Sequence, residues 1–221
     1  YGAERRYHFS DDLVPGSKRN AASVPHLTRL MNDTAVPAIV QAAAINYLRD
    51  LPTSSAFSTI SSALRHKDAQ VRYRALRAVV SFPIGQWRDQ ALPLLKDEVK
   101  AVRIAAADAL LGLRPEEVPM EYRGEFSAAR NDLEQYVMYQ ADFAVGNVLI
   151  GDHYYKLNDL DKAEKYYKRG LRKDSMMNYA RFNLSALLNA RGRNADALQI
   201  LQDAQRTDPS NERVYYNLAL L

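Results

Sequence analysis

The sequence predicts an all-α protein, an α-solenoid of stacked helical hairpins, on two observations. Compact and bulky residues recur every 34 positions in the C-terminal half, and a pattern of Val, Ala and Leu recurs every 31 in the N-terminal half. Fixed periods of this size mark supersecondary units that each bury an apolar face only against their neighbours.

Residues 1–22 precede the first repeat and read as a linker segment. They open Tyr1-Gly2-Ala3-Glu4-Arg5-Arg6, with neither an initiator Met nor an apolar signal core, and so read as a cut end. Residues 23–118 carry the 31-residue period. Val40 to Leu48, Val71 to Val79 and Val102 to Leu110 align in the columns Val40/Val71/Val102, Gln41/Arg72/Arg103, Ala44/Ala75/Ala106 and Leu48/Val79/Leu110. These stretches read as inner helices. Pro25 to Met31, Ala56 to Leu64 and Arg88 to Leu95 read as the outer ones, the last shortened or kinked at Pro93, which cannot donate to the helix ladder. The pattern resembles short HEAT-like repeats. In that family acidic–Arg pairs cross-link neighbouring repeats, which the resemblance carries to Asp68 and Asp97 ahead of Arg72 and Arg103.

Residues 119–143 follow the helix stop Arg114-Pro115-Glu116-Glu117-Val118-Pro119 and read as a connecting helix, roughly Tyr122 to Ala141. Ala129 and Leu133 fall 34 residues ahead of Ala163 and Tyr167, so this helix is expected to cap the next array.

Residues 144–221 carry the 34-residue period through two full repeats and a truncated third. Gly151, Ser185 and Ala219 share one register position; Ala163 and Ala197 share another. Antiparallel helices approach closely only where one side is small, and Tyr154, Tyr167, Leu188 and Leu201 fill the space beside these residues. Asn158-Asp159-Leu160-Asp161 and Arg191-Gly192-Arg193-Asn194 read as turns, with Asp161 and Asn194 as N-caps, and Pro209 closes the second repeat. The pattern resembles the tetratricopeptide repeat (TPR) family, departing from it in the first repeat, where Gly170 stands for the usual Ala and Ser175 for the usual Pro. At the end of the chain Tyr215, Leu218, Leu220 and Leu221 belong to a helix without a partner. Burying a Leu is worth about 1.5–3 kcal/mol, so further chain or a partner is expected to cover them.

The TPR resemblance implies a groove, lined by the first helix of each repeat, that receives a peptide or partner protein. The matching positions are Val148, Asp152, Tyr155, Tyr179, Phe182, Asn183, Ala186, Asn189, Arg213 and Tyr216. Some members clamp a terminal carboxylate with Lys and Asn on the first repeat. Here Val148 and Asp152 stand there, although Asn183 and Arg213 fit later parts of the clamp. An Asp in the groove repels a carboxylate.

Composition bounds the chemistry. The chain has no cysteine, which excludes disulfides, thiolate metal sites, a Cys nucleophile and covalent haem attachment within these residues. No run of 18 apolar residues is present, so no membrane span is expected. The net charge of +4 is spread among interleaved acids and bases, unlike the concentrated basic face of a nucleic-acid binder. The basic run Lys162, Lys165, Lys168, Arg169, Arg172 and Lys173 reads as a solvated helix face. His8, His26, His66 and His153 lack ligand spacing, so no metal site is expected. Asp11-Asp12, Asp97-Glu98 and Glu116-Glu117 read as capping or solvated carboxylates. No catalytic residues are expected, and the chain reads as non-enzymatic.

The order of parts carries a further resemblance. Pro37-Ala38-Ile39-Val40, Ala101-Val102-Arg103-Ile104-Ala105-Ala106 and the stretch from Asn147 through Asn183-Leu184 are similar to the C-terminal repeat region of bacterial exported multihaem c-type cytochromes. That resemblance implies Cys-x-x-Cys-His motifs upstream of Tyr1, a covalently linked haem domain there, no haem in this chain, and a periplasmic or otherwise exported location. The function expected is a protein–protein interaction scaffold attached to an electron-transfer protein. The alternatives are a free-standing adaptor, and a nucleic-acid binder using Arg72, Arg74, Arg77 and Arg103.

Overall fold

The computed structural model describes residues 7–221, and the expectation placed on Tyr1 to Arg6 lies outside them. The described residues form thirteen α-helices joined by turns and short 3-10 segments, with no strand among them. The fold is all-α, an array of helical repeats. The chain divides into two compact units, one up to Leu133 and the other Glu134–Leu221.

The first unit holds α1 (Ser10–Gly16), then the hairpins α2 (Ser23–Asn32) with α3 (Ala38–Leu48), α4 (Ser54–Ala63) with α5 (Ala69–Val79), and α6 (Arg88–Ala91) with α7 (Lys100–Ala109). The inner helices α3, α5 and α7 pack side by side. The repeating columns are their core: Ala44, Ala75 and Ala106, and Leu48, Val79 and Leu110, are all completely buried. α6 ends at Ala91 and continues as a 3-10 turn over Leu92–Lys96, because Pro93 removes one donor of the α-helical ladder.

The polar column Gln41/Arg72/Arg103 performs one task three times. The carbonyls served lie at the end of the preceding helix or in the loop that leads from it to the next one. Gln41 Nε2 donates to the carbonyls of Leu30, Met31 and Asp33. Arg72 Nη1 donates to those of His66 and Lys67 at 2.9 Å each. Arg103 Nη1 donates to those of Asp97 and Glu98. Arg72 also grips the carboxylate of Asp97 with two bonds, 2.7 and 2.9 Å, tying one hairpin to the next. Asp68 caps α5 instead, accepting from the Gln70 N–H.

The N-terminal segment differs from the linker expected. α1 packs against α2, and Asp12, 1% exposed, is the reason. Its carboxylate accepts from His26 Nδ1 at 2.6 Å, Arg29 Nη1 at 3.0 Å and the Tyr7 hydroxyl at 2.7 Å. It is therefore not a solvated or capping acid. A buried carboxylate requires such partners.

α8 (Arg123–Met138) buries Phe126, Ala129, Leu133 and Val137, one face at helical spacing. The division between the units falls within it.

The second unit holds α9 (Ala144–Lys156) with α10 (Leu160–Lys173), α11 (Asn178–Ala190) with α12 (Asn194–Thr207), and α13 (Glu212–Ala219). Its two tight turns place Asn158 and Gly192, 34 positions apart, at φ 58° and 73°. This left-handed region suits Gly and Asn. The N-caps differ from those expected. Asp159 caps α10, accepting from the Lys162 N–H, while Asp161 pairs with Arg191. Arg193 precedes α12 with no side-chain cap, and Asn194 is already helical. Phe182, Leu201, Ala204 and Val214 form a core against which Leu218 packs, while Tyr215, Leu220 and Leu221 are exposed.

The small-residue columns are packing sites. Ala163 and Ala197 are completely buried. A Cβ on Gly151 would lie 2.5 Å from both Cδ1 and Cε1 of the Tyr167 ring. Overpacking of this kind costs about 1–3 kcal/mol, while replacing a helical Gly by Ala gains up to about 1 kcal/mol. Gly151→Ala is therefore expected to lower the melting temperature of the chain by several degrees; an unchanged or raised melting point would remove Gly151 from this contact.

Burial pushes the Asp97 carboxyl up, but the hydrogen bonds from Arg72 and the Val99 N–H outweigh it and hold the group below its ordinary value. A depressed folded-state pKa contributes stability that is present above the unfolded value, about 3.9, and lost as pH falls through the folded one. In acid titrations followed by circular dichroism, Asp97→Asn should show less of this loss below about pH 4 than the parent. Parallel acid limbs would contradict it.

Candidate functional site

The ten groove positions divide sharply by burial. Val148 is completely buried, its methyl pressed on the backbone at Gly170, and Phe182 is 5% exposed in the core of the second unit. Neither lines a surface. Both stand where α9 and α11 turn inward, and 34-residue register carries the same inward position from one to the other. Arg213 lies over the Phe182 ring, 5.1 Å from its centroid, and shields it. The exposed members are Tyr155, Tyr179, Ala186, Asn189, Arg213 and Tyr216.

Asp152 joins the helices beneath this surface. It is half-buried on α9 and accepts from three directions. The Tyr167 hydroxyl of α10 donates to Oδ1 at 2.8 Å, and Asn183 Nδ2 of α11 donates to the same oxygen at 2.7 Å. The Tyr179 hydroxyl donates to Oδ2 at 3.2 Å. Burial, then the charge of Asp152, pushes the Tyr167 phenol far above its ordinary value, so it remains a donor. One carboxylate thus fixes both helices of the first repeat to the first helix of the second. Asn183 and Tyr179 reach Asp152 rather than a terminal carboxylate, the opposite of the clamp arrangement.

Two surface residues of this face were missed by sequence reasoning. Val145 and Leu149 are 55% and 40% exposed on α9, on the same face as Asp152. Shifting Tyr179 and Asn183 back by 34 lands on them, so the repeat itself held the signal. The exposed stripe therefore runs Val145, Leu149, Asp152 and Tyr155 on α9, then Tyr179, Asn183 and Ala186 on α11. Tyr154 and Tyr167 are buried, as packing requires; Tyr155 is not.

Several of the remaining charged candidates serve the fold. On α10 Lys162 pairs with Asp159 and Lys168 with Glu164, which also receives Arg191 and Arg193 of the following turn. In the first unit Arg72 and Arg77 pair with Asp97 and Asp108, Arg103 caps carbonyls, and Arg74 lies over the Tyr73 ring. Among the described residues no three His, Asp or Glu side chains gather as a metal site requires, and no helix is long and apolar enough to cross a membrane.

Residues 148–212 match the model of the tetratricopeptide repeat family. No curated protein and no solved structure matches the chain. The second unit therefore contains a TPR region, a type of repeat that generally serves as a protein–protein interaction module, and the expected partners are proteins.

Proposed function

We propose that this chain is a non-enzymatic interaction scaffold whose α9–α11 stripe holds a peptide segment of a partner protein. The observation that carries this reading is the stripe itself. Val145, Leu149, Tyr155 and Tyr179 present apolar and aromatic surface on adjoining first helices, and Asp152 holds Tyr179 and Asn183 in place before any ligand arrives. Preorganised side chains lower the entropic cost of binding, and exposed aromatics are the residues that anchor interfaces.

Two finer readings belong with it. The 31-residue hairpins of 23–118 are taken as HEAT-like, joined through 119–143 to the TPR array of 144–221. The whole is taken as the repeat appendage of an exported multihaem cytochrome, supported by the order of the two repeat types. Reading the residues encoded ahead of Tyr1 tests the last point: Cys-x-x-Cys-His motifs are expected there, and a gene without them favours a free-standing adaptor.

Groove binding is tested with a displayed library of short peptides selected on the full chain and on Leu149→Ser/Tyr179→Ala. Both positions are exposed, so the fold should survive. Loss of an aromatic anchor costs about 2 kcal/mol or more. Selected peptides should therefore bind the variant at least about thirtyfold more weakly. Equal binding to both would place the site elsewhere.

A further inference from the structure

We infer that Asp152, hydrogen-bonded to the Tyr179 hydroxyl and one helical turn from Tyr155, is a seat for a cationic side chain, lysine or arginine, of the bound peptide. The inference rests on the groove reading and adds the chemistry of its occupant.

Three observations support it. First, the carboxylate has neutral partners: its recorded bonds come from two phenols and one amide, and among the described residues it forms no ion pair. A carboxylate offers about four acceptor positions. Oδ1 receives two donors and Oδ2 only one, so acceptor capacity remains on Oδ2, the oxygen shared with exposed Tyr179.

Second, the rings beside it suit a cation. Tyr155 and Tyr179 are 44% and 47% exposed. The Tyr179 hydroxyl is hydrogen-bonded to Oδ2, and Tyr155 follows Asp152 by three positions on α9, which places it on the same side of the helix. A guanidinium or ammonium is drawn to an aromatic face as well as to a carboxylate. Half-burial strengthens the attraction over that in bulk water.

Third, the rest of the stripe is uncharged. Within the α9–α11 stripe Val145, Leu149, Tyr155, Tyr179, Asn183 and Ala186 leave Asp152 as the charge that selects. An anionic residue placed there meets repulsion, and an apolar one leaves the open acceptor position unfilled.

The probe is a set of immobilised degenerate peptide pools, identical except for one fixed residue: Arg, Lys, norleucine or Glu. The full chain should bind the Arg and Lys pools about tenfold more tightly than the norleucine pool, the scale of a partly exposed charge-assisted bond, and the Glu pool least. Asp152→Asn should erase that preference, the Arg, Lys and norleucine pools then binding it alike whatever its overall affinity. Raising sodium chloride from roughly 20 to 500 mM should also shrink the preference in the parent chain, a readout that needs no variant. Should Asp152→Asn lose its helical circular dichroism, Tyr155→Ala takes its place, with a smaller preference expected. Equal binding of the Arg, Lys and norleucine pools overturns the cation seat. The groove reading survives that result if Leu149→Ser/Tyr179→Ala still weakens all pools. Pools that bind this variant as well as the parent, or no pool bound at all, overturn both.

Discussion

A repeat array of this kind depends on how closely two helices can approach, and in the second unit that distance is set where Gly151 faces Tyr167. With no side chain on α9 at this point, the phenol ring of α10 lies flat against the backbone. The ring is 2% exposed, and its hydroxyl reaches Asp152, one residue along α9. A contact that begins as packing thereby becomes the origin of a polar network. Asp152 extends it to Asn183 and Tyr179, so the spacing of one hairpin helps set the position of the next.

The first unit solves the same problem with different chemistry. Its inner helices meet through Ala and branched apolar columns, and the connection between hairpins is ionic: Arg72 reaches forward to Asp97 while binding the carbonyls behind it. Buried guanidinium groups demand partners for their donors, and this one makes four hydrogen bonds. The arginines that a composition-based reading offers to nucleic acid are, in large part, joints of the array.

These two kinds of joint have different consequences at the surface. In the first unit the acid and base neutralise one another. In the second, Asp152 is held by hydroxyl and amide donors, and its charge remains uncompensated within the network. Stability there comes from hydrogen bonds and packing, leaving charge at the surface. The apolar side chains around it, Val145 and Leu149, add area without competing charge.

Much of this was legible in the sequence. Periods of 31 and 34 residues identified the hairpins, their order and most of their core, because close packing of like units demands like residues at like positions. The same rule, applied backwards from Tyr179 and Asn183, reaches Val145 and Leu149. Periodicity could not tell which of two neighbouring residues, Val148 or Leu149, faces outward, since that depends on the rotation of α9 against α10. Nor could it show Asp12 closing on His26 and Arg29, or Asp152 gathering partners from α10 and α11. Those contacts join residues 14 to 31 positions apart. Local side-chain pattern determined the helices and their stacking; only tertiary structure decided which polar groups converge, because convergence is a property of the angles at which helices pack.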